Sequence, residues 1–286
     1  AGLGATLLPA LSVTRGDALP HLKEGGASMG GRRTARLRSA LVVVQVAVAV
    51  VVCVAAALLA KSGRAAAAVD LGFDRDGVFA TDVDLNERGY TPERGAVFYD
   101  RLLERVSALP GVERAALASR APLDSSSPVL RVLREGESGM GSASTRPVGL
   151  ETTYYAVTPG YFETVGVPLL AGRPLVASDR AGRVPVAAVN EFLVNALWPG
   201  TPASEAVGRR VTVAPQTSGL SSLEGDVEIV AVVRNAKYRT VGEPAQPHMY
   251  VPFAQHYAAG MALLVRSRTS PMPIAETQAA MASIDP

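Results

Sequence analysis

The sequence predicts an α+β protein. One N-terminal transmembrane helix leads into a two-lobed mixed α/β extracytoplasmic domain, a β-α-β lobe carrying an inserted β-rich lobe. Three observations carry this expectation. Residues 40–60 run 21 positions without a charge. Beyond them, short alternating strand patterns mix with capped amphipathic helices. Strand signals then crowd the stretch from about 120 to 260, between a β-α-β unit and a last helix.

The apolar run, ALVVVQVAVAVVVCVAAALLA, has Gln45 as its only strongly polar side chain. At about 1.5 Å rise per residue it spans roughly 30 Å, the thickness of a bilayer's hydrocarbon core. A soluble helix seldom stays apolar on every face for this length. A cleaved signal peptide is shorter and has no segment of nearly 40 residues before it. The flanks give the orientation. Arg32, Arg33, Arg36 and Arg38 precede the run, and Lys61 and Arg64 follow it. The excess of positive charge puts the N-terminal side in the cytoplasm and residues 61–286 outside. Residues 1–39 carry a net charge of +4, leaving −2 for the rest of a chain whose total is +2. So local a basic patch is a membrane flank and not the spread basic face of a nucleic-acid binder. Residues 1–39 are expected as a cytoplasmic segment, with Gly25–Gly31 a flexible linker and His21 an isolated loop residue. The chain opens on Ala1 and closes on Pro286 directly after a helical pattern, which reads as a fragment of a longer protein.

Residues 61–77 are expected as a linker and 78–286 as the outer domain. Val78 to Leu85 alternates, with Phe79, Val83 and Leu85 on one face and Asp82 and Asp84 on the other, as in a half-buried strand. Thr91-Pro92-Glu93 begins a helix, with a hydroxyl cap, Pro at the first position and an acid in the first turn. Phe98, Leu102 and Val106 form its buried stripe. Pro110-Gly111 stops it, and Val112 to Ser119 completes the β-α-β unit. Residues 120–150, rich in Ser, Gly, Pro and Arg, read as an irregular loop. A strand follows over 150–157, then a short helix from Tyr161 to Thr164 behind Pro159. Val184 to Val189 is strand-like, and Asn190 caps a helix ending at Trp198-Pro199-Gly200. Further strands are expected at 209–213, 227–233, 248–252 and 262–266, and a last helix from Pro273 to about Ile284.

The chemistry-bearing motifs are missing. There is no GxxxxGK[ST] loop, no HExxH, no CxxC and no GxSxG. Asp82 and Asp84 fit solvated strand charges better than an acid–base pair. His248 and His256 have no evident third ligand for a metal and read as surface or strand-end histidines. Ser125 to Ser127 beside Asp124 lacks a placed base. Cys53 lies alone in the apolar run, so there is no disulfide framework. No catalytic, cofactor-binding or metal residue is assigned, and no cofactor.

Several runs in order resemble one family. They are Arg36-Leu-Arg-Ser-Ala-Leu-Val-Val-Val-Gln-Val-Ala47, then Leu71-Gly-Phe-Asp74, then Val157-Thr-Pro-Gly-Tyr-Phe-Glu-Thr-Val-Gly-Val-Pro-Leu-Leu-Ala-Gly-Arg173. Val189-Asn-Glu191, Trp198-Pro-Gly200, Gly208-Arg-Arg210 and Val230-Ala-Val-Val233 follow. This series resembles MacB/FtsX-type ABC transporter permeases of the duplicated acidobacterial type, with a MacB-like periplasmic core domain. Leu7-Leu-Pro-Ala10 and Leu22-Lys-Glu-Gly25 resemble the cytoplasmic junction between the halves of such a permease. The three later membrane helices of the family are missing from the sequence. The resemblance implies a non-catalytic permease piece in the bacterial inner membrane. Its partners would be lipid, a separate cytoplasmic ABC ATPase and a second permease half or a second copy, with no nucleic acid. Small residues along the span, including Ala49 and Ala56, and the Gln45 amide would then serve helix packing. A single-span extracytoplasmic ligand-binding or sensor protein is the alternative, and a membrane-tethered enzyme the remote third class.

Overall fold

The structure is a computed structural model describing residues 29–67, 69–86, 89–124, 128–137, 149–214, 223, 225–269 and 271–284. It forms two compact units, residues 1–65 and 66–286.

The described part of the first unit lies in helix α1, Met29–Ala67, whose last two residues belong to the second unit. Its stretch Arg36–Arg64 is long and apolar enough to cross a membrane, and every side chain along it is exposed. A helix of valine and leucine with no protein packed on it has its apolar surface matched only by lipid or another helix. The helix runs on through residues 61–67, expected as linker. Alanines at 65–67 continue good helix formers past Arg64, and nothing interrupts them.

The second unit opens with strand β1 (Val78–Asp84), helix α2 (Pro92–Ser107) and strand β2 (Val112–Ala118). Thr91 caps α2, its Oγ1 accepting from the Arg94 N–H, and Pro92 occupies the first turn. The strand β10 (Gly260–Ser267) lies between β1 and β2 and is antiparallel to both. The β-α-β unit is thus split, with the returning end of the chain filling the gap. Phe98, Tyr99, Leu102 and Val106 of α2 pack on Val83, Leu117, Leu263 and Val265. Helix α6 (Ile274–Ala282) borders the same core.

Between β2 and β10 lie β3 (Val129–Arg134), β4 (Leu150–Val157), helix α3 (Tyr161–Val165), β5 (Leu169–Gly172), β6 (Val186–Asn190), α4 (Glu191–Leu197), α5 (Ala203–Ala206), β7 (Arg210–Val213), β8 (Gly225–Val233) and β9 (His248–Pro252). Six of these strands hydrogen-bond in the order β4-β3-β7-β8-β6-β9, and β9 pairs back onto β4 in parallel. The ladder therefore closes on itself as a small barrel, which leaves those strands without open edges. Leu130, Val132, Tyr154, Ala156, Ala187, Val189, Val211, Val213, Ile229, Met249 and Val251 supply one apolar core from all six strands. Their spacing of two along each strand puts them on one face, the interior. Leu193, Val194 and Leu197 of α4 join that core. The outward face of β4, β6, β8 and β9 meets α3 and the sheet of the first lobe in a second core. Strand β5 adds to β8 outside the ring.

The β-α-β lobe with a β-rich insertion is the architecture found. One sequence expectation fails inside it. Residues 129–134, expected as loop, form β3, with Leu130, Val132 and Leu133 buried. The Ser, Gly, Pro and Arg residues on either side hide a six-residue strand, Val-Leu-Arg-Val-Leu-Arg, without an alternating pattern, whose partners, β4 and β7, lie elsewhere in the chain.

Candidate functional site

The candidate site is the stem, residues 69–77, which joins α1 to the first strand. Leu71 is buried at 5% exposure, unlike a free linker residue. Gly72 has φ +76°, and a Cβ there would lie 2.0 Å from the Asn235 carbonyl oxygen. Only glycine permits that approach. The Gly72 N–H donates to Asp70 Oδ1 at 2.8 Å, and Arg234 Nη2 reaches Asp70 Oδ2 at 2.6 Å. The Gly72 N–H bond, aided by the Arg234 charge, holds the Asp70 carboxyl below its usual value. The Lys237 N–H donates to the Leu71 carbonyl at 2.8 Å. The stem is thereby stitched to residues 234–247, a strap between β8 and β9.

Its other end is fixed to both lobes. The Asp74 N–H donates to the Val165 carbonyl of α3 at 2.8 Å. Arg266 of β10, with 14% side-chain exposure, donates from Nη1 to Asp74 Oδ2 at 2.9 Å and from Nε to the Thr164 carbonyl at 2.9 Å. That guanidinium holds together the stem, the barrel lobe and the split sheet. Its hydrogen bond, seconded by the Asp76 N–H, keeps the Asp74 carboxyl below the ordinary carboxylate value.

The strap is anchored in turn. Asn190 caps α4 through Oδ1, which also accepts the His248 N–H, while its Nδ2 donates to Asn235 Oδ1 and to the Gln246 carbonyl. Asn235 Oδ1 accepts the Phe192 N–H, and Glu191 Oε1 accepts the Asn235 N–H. The Val189-Asn-Glu191 run thus serves as both helix cap and clasp. In the long motif over 157–173, Thr158 Oγ1 accepts the Leu117 N–H, binding lobe to lobe. Arg173 makes two 2.8 Å bonds to the buried Asp179 carboxylate.

The residues weighed for chemistry are not brought together. Asp82 and Asp84 are exposed on β1, where Asp84 Oδ1 accepts from Asn86. Asp124 lies 3.8 Å from Arg120, and Ser125 to Ser127 and His21 lie outside the described residues. Among the described residues no group of three His, Cys, Asp or Glu side chains is placed to share a metal. Cys53 is exposed on α1. Of the two histidines, expected as surface or strand-end residues, His248 opens β9, and neither lies at the surface. His248 is fully buried and His256 7% exposed, and burial lowers each imidazole to about 4. The alternation of β9 could not show this, because all five of its residues are covered, on one face by the barrel interior and on the other by the strap and the first lobe.

Among the described residues one helix is able to cross a bilayer, and the stitched stem, the split α/β lobe and the closed barrel follow it in the chain. Residues 39–284 match the profile of the MacB-like periplasmic core domain, and the chain belongs to that family. The family is one of transporter permease components and not of catalytic enzymes, and the chain is a membrane-associated transporter component. No curated protein matches the chain. Among solved structures it is similar to the periplasmic region of MacB from Actinobacillus actinomycetemcomitans, at 13% identity and TM-score 0.43, over 74% of this chain and 84% of that one. It is also similar to the extracellular domain of the noncanonic ABC-type transporter YknZ from Gram-positive bacteria, at 13% identity and TM-score 0.42, over 72% of this chain and 90% of that one.

Proposed function

We propose that this chain is the motion-transmitting, non-catalytic part of an ABC-type export or mechanotransmission permease in the bacterial inner membrane. Residues 40–60 span the bilayer, 1–39 lie in the cytoplasm and 78–286 lie outside, with the β-rich lobe at about 120–260. A separate cytoplasmic ATPase supplies the driving force, and a second permease half or second copy completes the assembly. No residue of the chain acts on a covalent bond.

The observation carrying this reading is the stem. A helix whose backbone bonds are internally satisfied moves as a rod. The segment leaving it is bonded within a few residues to the strap, to α3 and to β10. Displacement of the helix end therefore loads both lobes together. A flexible tether, as a simple anchor would have, would need none of these bonds.

Two measurements test it. A thiol at the exposed Ser178 should react with an impermeant maleimide added from outside and not from the cytosol. Spin labels at Ser178 and on the outer domain of the second half or copy, in the permease purified with its ATPase, should change separation when ATP is bound. Cytosolic reactivity at 178 overturns the orientation, and an ATP-independent separation overturns the coupling.

A further inference from the structure

We infer that His248 and the strap over it form an acid-released latch, which holds Leu71 of the stem against the barrel lobe near neutral pH and lets it go at low external pH. The latch is a property of the fold, and its test does not depend on whether an ATPase drives the stem.

The imidazole of His248 sits in a box of tyrosines. Ring centroids lie at 4.9 Å for Tyr238 of the strap, 5.8 Å for Tyr155 of β4 and 6.5 Å for Tyr250 of β9. All four residues are buried, Tyr155, Tyr238, Tyr250 and His248 each at 0% exposure. Neither Nδ1 nor Nε2 of His248 has a hydrogen-bond partner among the described residues. A neutral imidazole tolerates this. An imidazolium would carry a full charge and two N–H donors with no acceptor, a burial far costlier than a contact with ring faces returns.

The charged and titratable groups around it offer no counter-ion already aimed at the ring. On the strap, Arg234 pairs with Asp70, Lys237 Nζ donates to the Val241 carbonyl, and Glu243 accepts the N–H groups of Tyr238 and Arg239. On α4, Glu191 is engaged by the Asn235 N–H. On β4, Glu151 faces Arg131. On α3, the Tyr161 hydroxyl bonds that of Tyr238 at 3.1 Å.

Of the three ring walls of the box, Tyr155 and Tyr250 stand on strands of the barrel. The third is the strap, whose Tyr238 is held by its hydroxyl bond to Tyr161 and by Glu243 at its N–H. Its outer side borders an open hollow of about 240 Å³ lined in part by Asp70, Glu191 and Lys237. The strap is the wall that yields. When it lifts, water reaches His248. The bond from the Lys237 N–H to the Leu71 carbonyl is lost with it. Leu71 is then released, while Asn190, Glu191 and Phe192 still clasp Asn235, and Val165 and Arg266 still hold Asp74.

The expected size follows from linkage. With the imidazole lowered to about 4 when closed and at 6.5 when open, lowering the pH from 7.5 to 5.0 raises the open population roughly 30-fold. Hydrogen–deuterium exchange on the full chain in nanodiscs, corrected for intrinsic rates, reads this directly. Peptides covering 234–247 and 69–77 should exchange roughly 30-fold faster at pH 5.0, while those of β2 and β10, which open only with global unfolding, stay the more protected at both pH values. His248→Phe keeps a ring without a titrating nitrogen and should abolish the rise, and His248→Gln should do so if the larger ring impairs folding. Equal exchange at both pH values in the wild type overturns the latch. So does a rise that persists in the folded variant, or one spread evenly over the whole domain.

Discussion

Substituting Gly72 by alanine tests how the stem is fixed. An L-residue at φ +76° loses roughly 1–2 kcal/mol to contact of its Cβ with its own backbone. The new Cβ would also stand 2.0 Å from the Asn235 oxygen and 2.7 Å from Ala236 Cα, both backbone atoms. Neither can rotate away, because Asn235 is fixed by Asn190, Glu191 and Phe192. The stem must therefore move out by about 1 Å or more to reach ordinary contact distance. That breaks the bond from Lys237 to Leu71, worth about 1 kcal/mol, and partly uncovers Leu71, worth about another 1–2 kcal/mol. The total is about 3–5 kcal/mol, or roughly 6–20 °C in the melting temperature of a domain this size. Trp198, the only tryptophan, ends α4 against the barrel core and reports the melt by fluorescence in detergent. Gly182→Ala is the control. It also has positive φ, at +80°, but nothing lies within 4 Å of its Cβ, so only the backbone strain applies. Its melting temperature should fall by about 2–8 °C. Equal shifts for the two variants would refute the close approach as the source of the effect.

Three further outcomes are expected. Arg173→Ala leaves the buried Asp179 carboxylate unpaired and should lower stability by about 3 kcal/mol in urea unfolding, whereas Arg173→Ala with Asp179→Ala should recover part of that loss. Burial raises the Asp179 carboxyl, but the Arg173 bonds, the Val176 N–H and the guanidinium charge outweigh it, so its net contribution is present above the unfolded carboxylate value of 3.8 and fades as the pH falls below that. Thr158→Val strands the buried Leu117 N–H and should shift the urea midpoint by the equivalent of about 1–3 kcal/mol. His256, lowered to about 4 by burial, binds its proton later than in the unfolded chain, so stability should fall as pH drops from 6.5 towards 4, by roughly 3 kcal/mol in all, and His256→Leu should flatten that slope.

Some of this was legible because it is local. The span needs only a run of apolar residues as long as a bilayer is thick. The caps at Thr91 and Asn190 act within a few residues of themselves, so the helices they begin follow from neighbours in the chain. The ordered runs from 157 to 233 pointed to the family for the same reason, since each is a turn, a cap or a buried strand. What required the folded molecule is set by residues far apart in sequence. Strand β3 exists because β4 and β7 lie beside it. The barrel closes only when β9 returns to β4, some 95 residues later. His248 reads as a strand-end residue until the strap folds Tyr238 over it. Arg266 is one more basic residue until Asp74, 192 positions earlier, and Thr164 meet at its guanidinium. Burial and hydrogen-bond partnership are properties of the assembled core, and no window along the chain contains both members of such pairs.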